Sequence, residues 1–84
     1  MNVANEEVAE VVVEIPQGHQ HLRTTIVLQN GRGVTFQEAT IANIVRAYIT
    51  VKTHPEITKV HLRGGGEVPR KKEGFADWQL LETR

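Results

Sequence analysis

The chain has 84 residues, ten Lys and Arg against ten Asp and Glu, and no cysteine. A domain this short buries only about 60% of the surface its unfolded form exposes, and neither a disulfide nor a cysteine-based zinc site can reinforce it. A formal charge of zero gives no overall pull toward nucleic acid or membrane, so any such role must rest on local patches.

Met1 to Glu7 has neither a basic leader nor an apolar core, and no apolar run approaches the ~18 residues of a spanning helix. Residues 1–6 are expected to be a short flexible N-terminus of a cytoplasmic protein with no membrane partner. From Glu7 to Ile15 the residues alternate, with Ala9, Val11, Val13 and Ile15 on one side and Glu10, Val12 and Glu14 on the other. This is the pattern of a strand with one buried face. Pro16-Gln17-Gly18 breaks it, and Leu22, Thr24, Ile26 and Leu28 then alternate against Arg23, Thr25, Val27 and Gln29. An antiparallel hairpin follows, with Arg23 across from Glu10 or Glu14.

Asn30-Gly31 is a strong hairpin signal, because both central residues of a type I′ turn need positive φ; Gly33 close by also allows a bulge. Val34, Thr35 and Phe36 can then form a short third strand. Thr35-Phe36-Gln37-Glu38 reads at the same time as a capping box, Thr35 accepting from the Glu38 amide while the Glu38 side chain reaches back. Strand and cap compete for Thr35.

Ile41, Ile44, Val45, Tyr48 and Val51 recur at three- and four-residue spacings, the stripe of a helix that packs on the sheet and ends at Thr53-His54-Pro55. Ala42 and Ile49 widen the apolar arc beyond one core contact. The helix is rich in β-branched residues, so packing rather than propensity must hold it. Ile57 to Arg63 alternates again as a strand. Residues 64–74, with four glycines, Pro69 and the cations Arg70, Lys71 and Lys72, have the composition of a mobile loop. Phe75 to Thr83 suits an edge strand with Ala76, Trp78 and Leu80 inward, in preference to a short helix.

The expected fold is therefore α+β: one domain over residues 1–84, with a mainly antiparallel sheet of four to five strands in the order β-β-(β)-α-β-β and one central helix on one face. Such a layer leaves its second face, with Val12, Thr25 and Val27, without a cover. A dimer or higher homo-oligomer is the expected remedy, through Val12, Thr25, Val27, Ala42, Ile49 and Trp78. The function this implies is a small, non-catalytic binding module that self-associates.

Other chemistry is thinner. Gly64-Gly65-Gly66 has the composition of a phosphate-binding turn, but lacks the Lys-Ser/Thr pair and following helix of a P-loop. Lys59, Arg63, Arg70, Lys71 and Lys72 against Glu67 concentrate positive charge in residues 59–72, so Arg63, Arg70, Lys71 and Lys72 form an alternative site for nucleic acid or another polyanion. No aromatic pair on a strand accompanies it for base stacking, and nucleic acid is not favoured. His19 and His21 have the His-x-His spacing of a chelating pair, a weaker metal-binding alternative to which His54 and His61 would have to contribute. Without cysteine or serine there is no arrangement to nominate as catalytic, and no cofactor is called for.

Overall fold

A computed structural model describes residues 1–67 and 78–83. The fold is α+β, in the order β1 (Val8–Glu14), β2 (Arg23–Leu28), β3 (Gly33–Gln37), α1 (Glu38–Thr53), β4 (His61–Glu67) and β5 (Trp78–Thr83). The strands do not make one sheet of four or five. They divide into an antiparallel meander β1-β2-β3 and an antiparallel pair β4-β5, because each strand bonds to its neighbour in sequence. The chain falls into two compact units, Met1–Glu38 and Ala39–Arg84.

The first unit opens within the N-terminal segment. Asn5–Glu7 forms a 3-10 turn closed by the Glu7 amide on the Ala4 carbonyl (3.0 Å), and the Glu7 carbonyl accepts the Gln29 amide (2.8 Å). β1 then pairs with β2 from Val8 opposite Leu28 to Glu14 opposite Arg23. The register slips between Val8 and Glu10, so Ala9 is the extra residue of a β-bulge. The slip moves Val8 to the side of Val11 and Val13, where simple alternation had placed Ala9.

Pro16-Gln17-Gly18-His19 closes the first connection, His19 donating to the Pro16 carbonyl (3.0 Å) with Gly18 at φ +82°. Positive φ at the third position is the requirement of a type II turn, which glycine meets without a Cβ penalty. The second hairpin is where the sequence places it, but its turn differs. Gly31 has φ +87° and no residue other than glycine has positive φ, so Asn30-Gly31 is not the type I′ pair. Gln29 and Asn30 instead form the centre of a turn closed by the Gly31 amide on the Leu28 carbonyl (2.9 Å), and the Leu28 amide returns to the Arg32 carbonyl (2.8 Å). Asn30 contributes through its side chain, whose Oδ1 accepts the Arg32 amide (2.9 Å).

The competition at Thr35 is won by the strand. Thr35 pairs with Thr25 in the ladder and the two hydroxyls lie 2.8 Å apart, while the Glu38 carboxylate engages His21. No capping box forms, and α1 begins at Glu38, two residues past the expected junction at Phe36.

In the second unit α1 runs sixteen residues and ends at Thr53, immediately before the His54-Pro55 break. Its last turn is tied off by side chains: Thr53 Oγ1 donates to the Ile49 carbonyl (2.7 Å), and His54 Nδ1 lies 3.1 Å from the Thr50 carbonyl. Near its start Asn43 donates back to the Ala39 carbonyl (2.9 Å) and accepts from Arg46 (3.1 Å). Strand pairing begins at His61, opposite Thr83, four residues later than the alternation from Ile57 suggests. It also continues through Gly64-Gly65-Gly66 to Glu67, which corrects the expected loop at its first four residues. Glycine serves here as the site of a bulge: Gly64 faces Leu80 and Glu67 faces Trp78, so β4 holds one residue more than β5 over this span. Residues 68–74, the remainder of that loop, lie outside the described residues, whereas the expected C-terminal strand is present as β5.

Candidate functional site

The register sorts the meander into two unlike faces, since residues directly opposite one another project to the same side. On one lie Val11 opposite Ile26, Val13 opposite Thr24, Ile26 opposite Val34 and Thr24 opposite Phe36. On the other lie Glu10 with Val27, Val12 with Thr25, Glu14 with Arg23, Thr25 with Thr35 and Arg23 with Gln37. The first face is apolar except for Thr24. The second is a mixture of valine, threonine and charge.

Neither face supplies a closed core. Among residues 1–64 and 80–83, whose burial is described, no apolar side chain is buried and the one buried residue is Thr24, at 6% exposure. On the apolar face Val11 is 52% exposed, Val13 61% and Val34 47%; Ile26 and Phe36 are half-buried. Thr24 is the centre of this face and its hydroxyl has no hydrogen-bond partner among the described residues. A buried hydroxyl without a partner costs stability that a methyl group of similar shape would not.

The candidates Val12, Thr25 and Val27 sit together on the mixed face and are half-buried. Val12 and Thr25 are directly opposed, with Val27 two residues along. On α1, Ala42 is half-buried and Ile49 exposed. Trp78 stands opposite Glu67 in the β4-β5 ladder. Ile44, Val45 and Tyr48, read from the sequence as core-facing, are all exposed, Tyr48 to 64%. Ile44, Ala47, Tyr48, Val51 and Lys52 of the helix, with Val60 just before β4 and Leu62 within it, line an open apolar groove of ≈ 360 Å³. Alternation revealed which residues share a side; it could not reveal how much of that side would be covered.

Charged groups assemble at one place in the first unit. His21 Nδ1 donates to Glu38 Oε2 at 2.8 Å, the two side chains being 43% and 40% exposed. The His21 hydrogen bond, supported by the Leu22 backbone and the nearby charge of Arg23, holds the Glu38 carboxyl below its ordinary range against a smaller opposing effect of burial. The strand register accounts for this pair: extending the β2-β3 pairing one step beyond Arg23–Gln37 sets Glu38 across from Leu22, beside His21. Reading Glu38 as a cap concealed it.

His21 is thus engaged with a carboxylate, and His19 opens no cluster with it. Among the described residues no three His, Cys, Asp or Glu side chains come together in an arrangement able to hold a metal ion. His54 is occupied at the helix end and His61 is exposed on β4. Of the proposed polyanion residues, Arg63 is exposed on β4 opposite Leu81, while Arg70, Lys71 and Lys72 lie outside the described residues. Among the described residues no helix is long and apolar enough to cross a membrane. No protein-family model matches the chain, and no curated protein or solved structure is detectably similar to it.

Proposed function

We propose that the protein is a small cytoplasmic, non-catalytic binding module whose working form is a homo-oligomer. One observation supports this most: among residues 1–64 and 80–83 every large apolar side chain retains solvent contact, and Val11, Val13 and Val34 retain it on a single sheet face. Exposed valines grouped on one face, Val11 and Val13 on β1 and Val34 across Ile26 on β3, differ from the scattered apolar residues ordinary on protein surfaces, and such grouping is the usual mark of an interaction site. A second copy offers the same surface, so one interface buries two such patches at once, as two-fold contacts do. The candidates Val12, Thr25, Val27, Ala42, Ile49 and Trp78 belong to the same proposal, and Val11, Val13 and Val34 join them.

Sedimentation velocity or light scattering across the micromolar range tests the reading. A species of at least dimer mass that dissociates on dilution is expected. A monomer at every concentration contradicts it. Charge placed separately on the two sheet faces, as Val11→Lys with Val13→Lys and as Val12→Lys with Val27→Lys, identifies the face that is covered.

A further inference from the structure

We infer that β3 is the edge by which two copies of the chain join, antiparallel, about a two-fold axis at Thr35. This adds a second contact to the self-association reading and rests on it: the face contact covers the valines, and the β3 edge joins one sheet to the next. Among the described residues the meander has two edges without a strand partner, β1 and β3, and they are built differently. β1 carries Glu10 and Glu14 and the bulge at Ala9, devices that discourage edge-to-edge pairing. Pairing β1 with a copy about Val12 would also set Glu10 against Glu14 of the partner subunit. β3 has none of these defences: Gly33-Val34-Thr35-Phe36-Gln37 contains no charge and no proline, its register is unbroken, and all but Phe36 are exposed. An uncharged, regular, solvent-facing edge is a template for another strand.

The phase of the ladder fixes which backbone groups are offered. In antiparallel pairs, hydrogen-bonded positions alternate with positions whose side chains approach more closely and whose amides point away. Leu28 and Arg32 form a bonded position at the hairpin end, the Leu28 amide meeting the Arg32 carbonyl at 2.8 Å. Alternating from there makes Val34 and Phe36 bonded to β2 and turns the amides of Gly33, Thr35 and Gln37 outward. The 2.8 Å contact between the Thr25 and Thr35 hydroxyls independently marks that pair as the close, non-bonded kind.

A two-fold axis at Thr35 matches this phase. It sets Thr35 against Thr35 of the partner subunit and Gly33 against Gln37 of the partner subunit, so outward-facing groups meet outward-facing groups. Val34 then falls opposite Phe36 of the partner subunit, an aliphatic–aromatic pair, and the two apolar faces become continuous. No charge opposes another along the seam.

The test combines sedimentation equilibrium on the full chain with residue-resolved amide exchange at low and high concentration. In the wild-type protein the Thr35 amide should exchange rapidly when dilute and become protected on association, while Val34 and Phe36, bonded to β2, stay protected throughout. Thr35→Pro deletes the outward amide together with the hydroxyl that meets Thr25, and leaves the backbone bonds of Val34 and Phe36 to β2 in place; it should weaken association by roughly tenfold or more. Thr35→Lys places two cations at the axis and should do the same with every backbone amide present. If Thr35→Pro loses its circular-dichroism signal, Thr35→Lys and wild-type exchange decide the matter. An associating wild type with Thr35 exchange indifferent to concentration, and Thr35→Lys dissociation within twofold of wild type, overturns the β3 seam but leaves self-association standing. A wild type that never associates overturns the reading beneath it.

Discussion

In the meander from Val8 to Gln37 both connections close on a glycine at positive φ, Gly18 and Gly31, and every strand residue from Gly33 to Gln37 has a partner on β2. In the unit after it, α1 exposes Ile44, Val45, Tyr48 and Ile49, and β4 is half glycine and glutamate along its paired length, with a bulge among the glycines. The contrast separates two sources of order. Turn chemistry and cross-strand bonding fix a register within a few residues, whereas an apolar stripe on a helix has value only against something that covers it. The first unit is specified locally and still leaves a valine row in water; the second depends more heavily on burial.

The sharpest way to break that comparison is to charge the valine row. Val11→Lys with Val13→Lys should raise the apparent dissociation constant by roughly a hundredfold or more, since two buried valines contribute about 3 kcal/mol at the least. Sedimentation equilibrium reads the change, and circular dichroism should show the strands retained. If association is untouched, exposure on this face has another meaning.

Local specification of the meander is tested at Gly31. Gly31→Ala forces a side chain to φ +87°, where no neighbouring atom obstructs the Cβ but the backbone itself resists. A loss of about 1–2 kcal/mol should lower the melting temperature by roughly 4–16 °C. Gly33→Ala, with ordinary van der Waals contact at 3.5 Å and no positive φ, should cost distinctly less in the same thermal melt.

Thr24→Val sharpens the comparison in the opposite direction. It replaces by a methyl group the hydroxyl at the centre of the apolar face that has no partner among the described residues, and should stabilise the protein by about 1 kcal/mol. Urea denaturation should show a raised midpoint with an unchanged slope.

The smallest effect belongs to the His21–Glu38 pair, which is exposed and so contributes little. Because the Glu38 carboxyl titrates below its ordinary value when folded, its stabilisation is present above that ordinary value and is lost as pH falls through the folded one. NMR titration of the Glu38 side chain should give a midpoint below that of ordinary glutamates, and His21→Ala should move it back up.

How much was legible before the structure varies with the kind of signal. Glycines and the Pro55 break located the turns and the helix end closely, because excluded φ values act on the residue itself. Thr35-Glu38 misled, because a capping box and a strand end satisfy the same donors and only the β2 partner decides between them. Gly64-Gly65-Gly66 misled for a related reason: glycine permits both a loop and a bulge, and β5 selects the bulge. Of the candidate site, the grouping of Val12, Thr25 and Val27 on one face was readable from alternation. The edge at β3 was not, since which strand lies outermost is a property of the assembled sheet.

The sequence by itself determined the α+β order, the helix from the Glu38 region to Thr53 and the paired faces of the first two strands, all of which follow from period and backbone restriction, while for the C-terminal segment it favoured a strand over a short helix without deciding between them. Tertiary structure alone decided that the strands form three plus two, that the helix starts after Gln37 with Glu38 bound to His21, and that valines rather than charges meet solvent on one face. Those outcomes depend on which strand finds which partner, and pairing is settled by contacts between residues far apart in the chain, where local preference is silent.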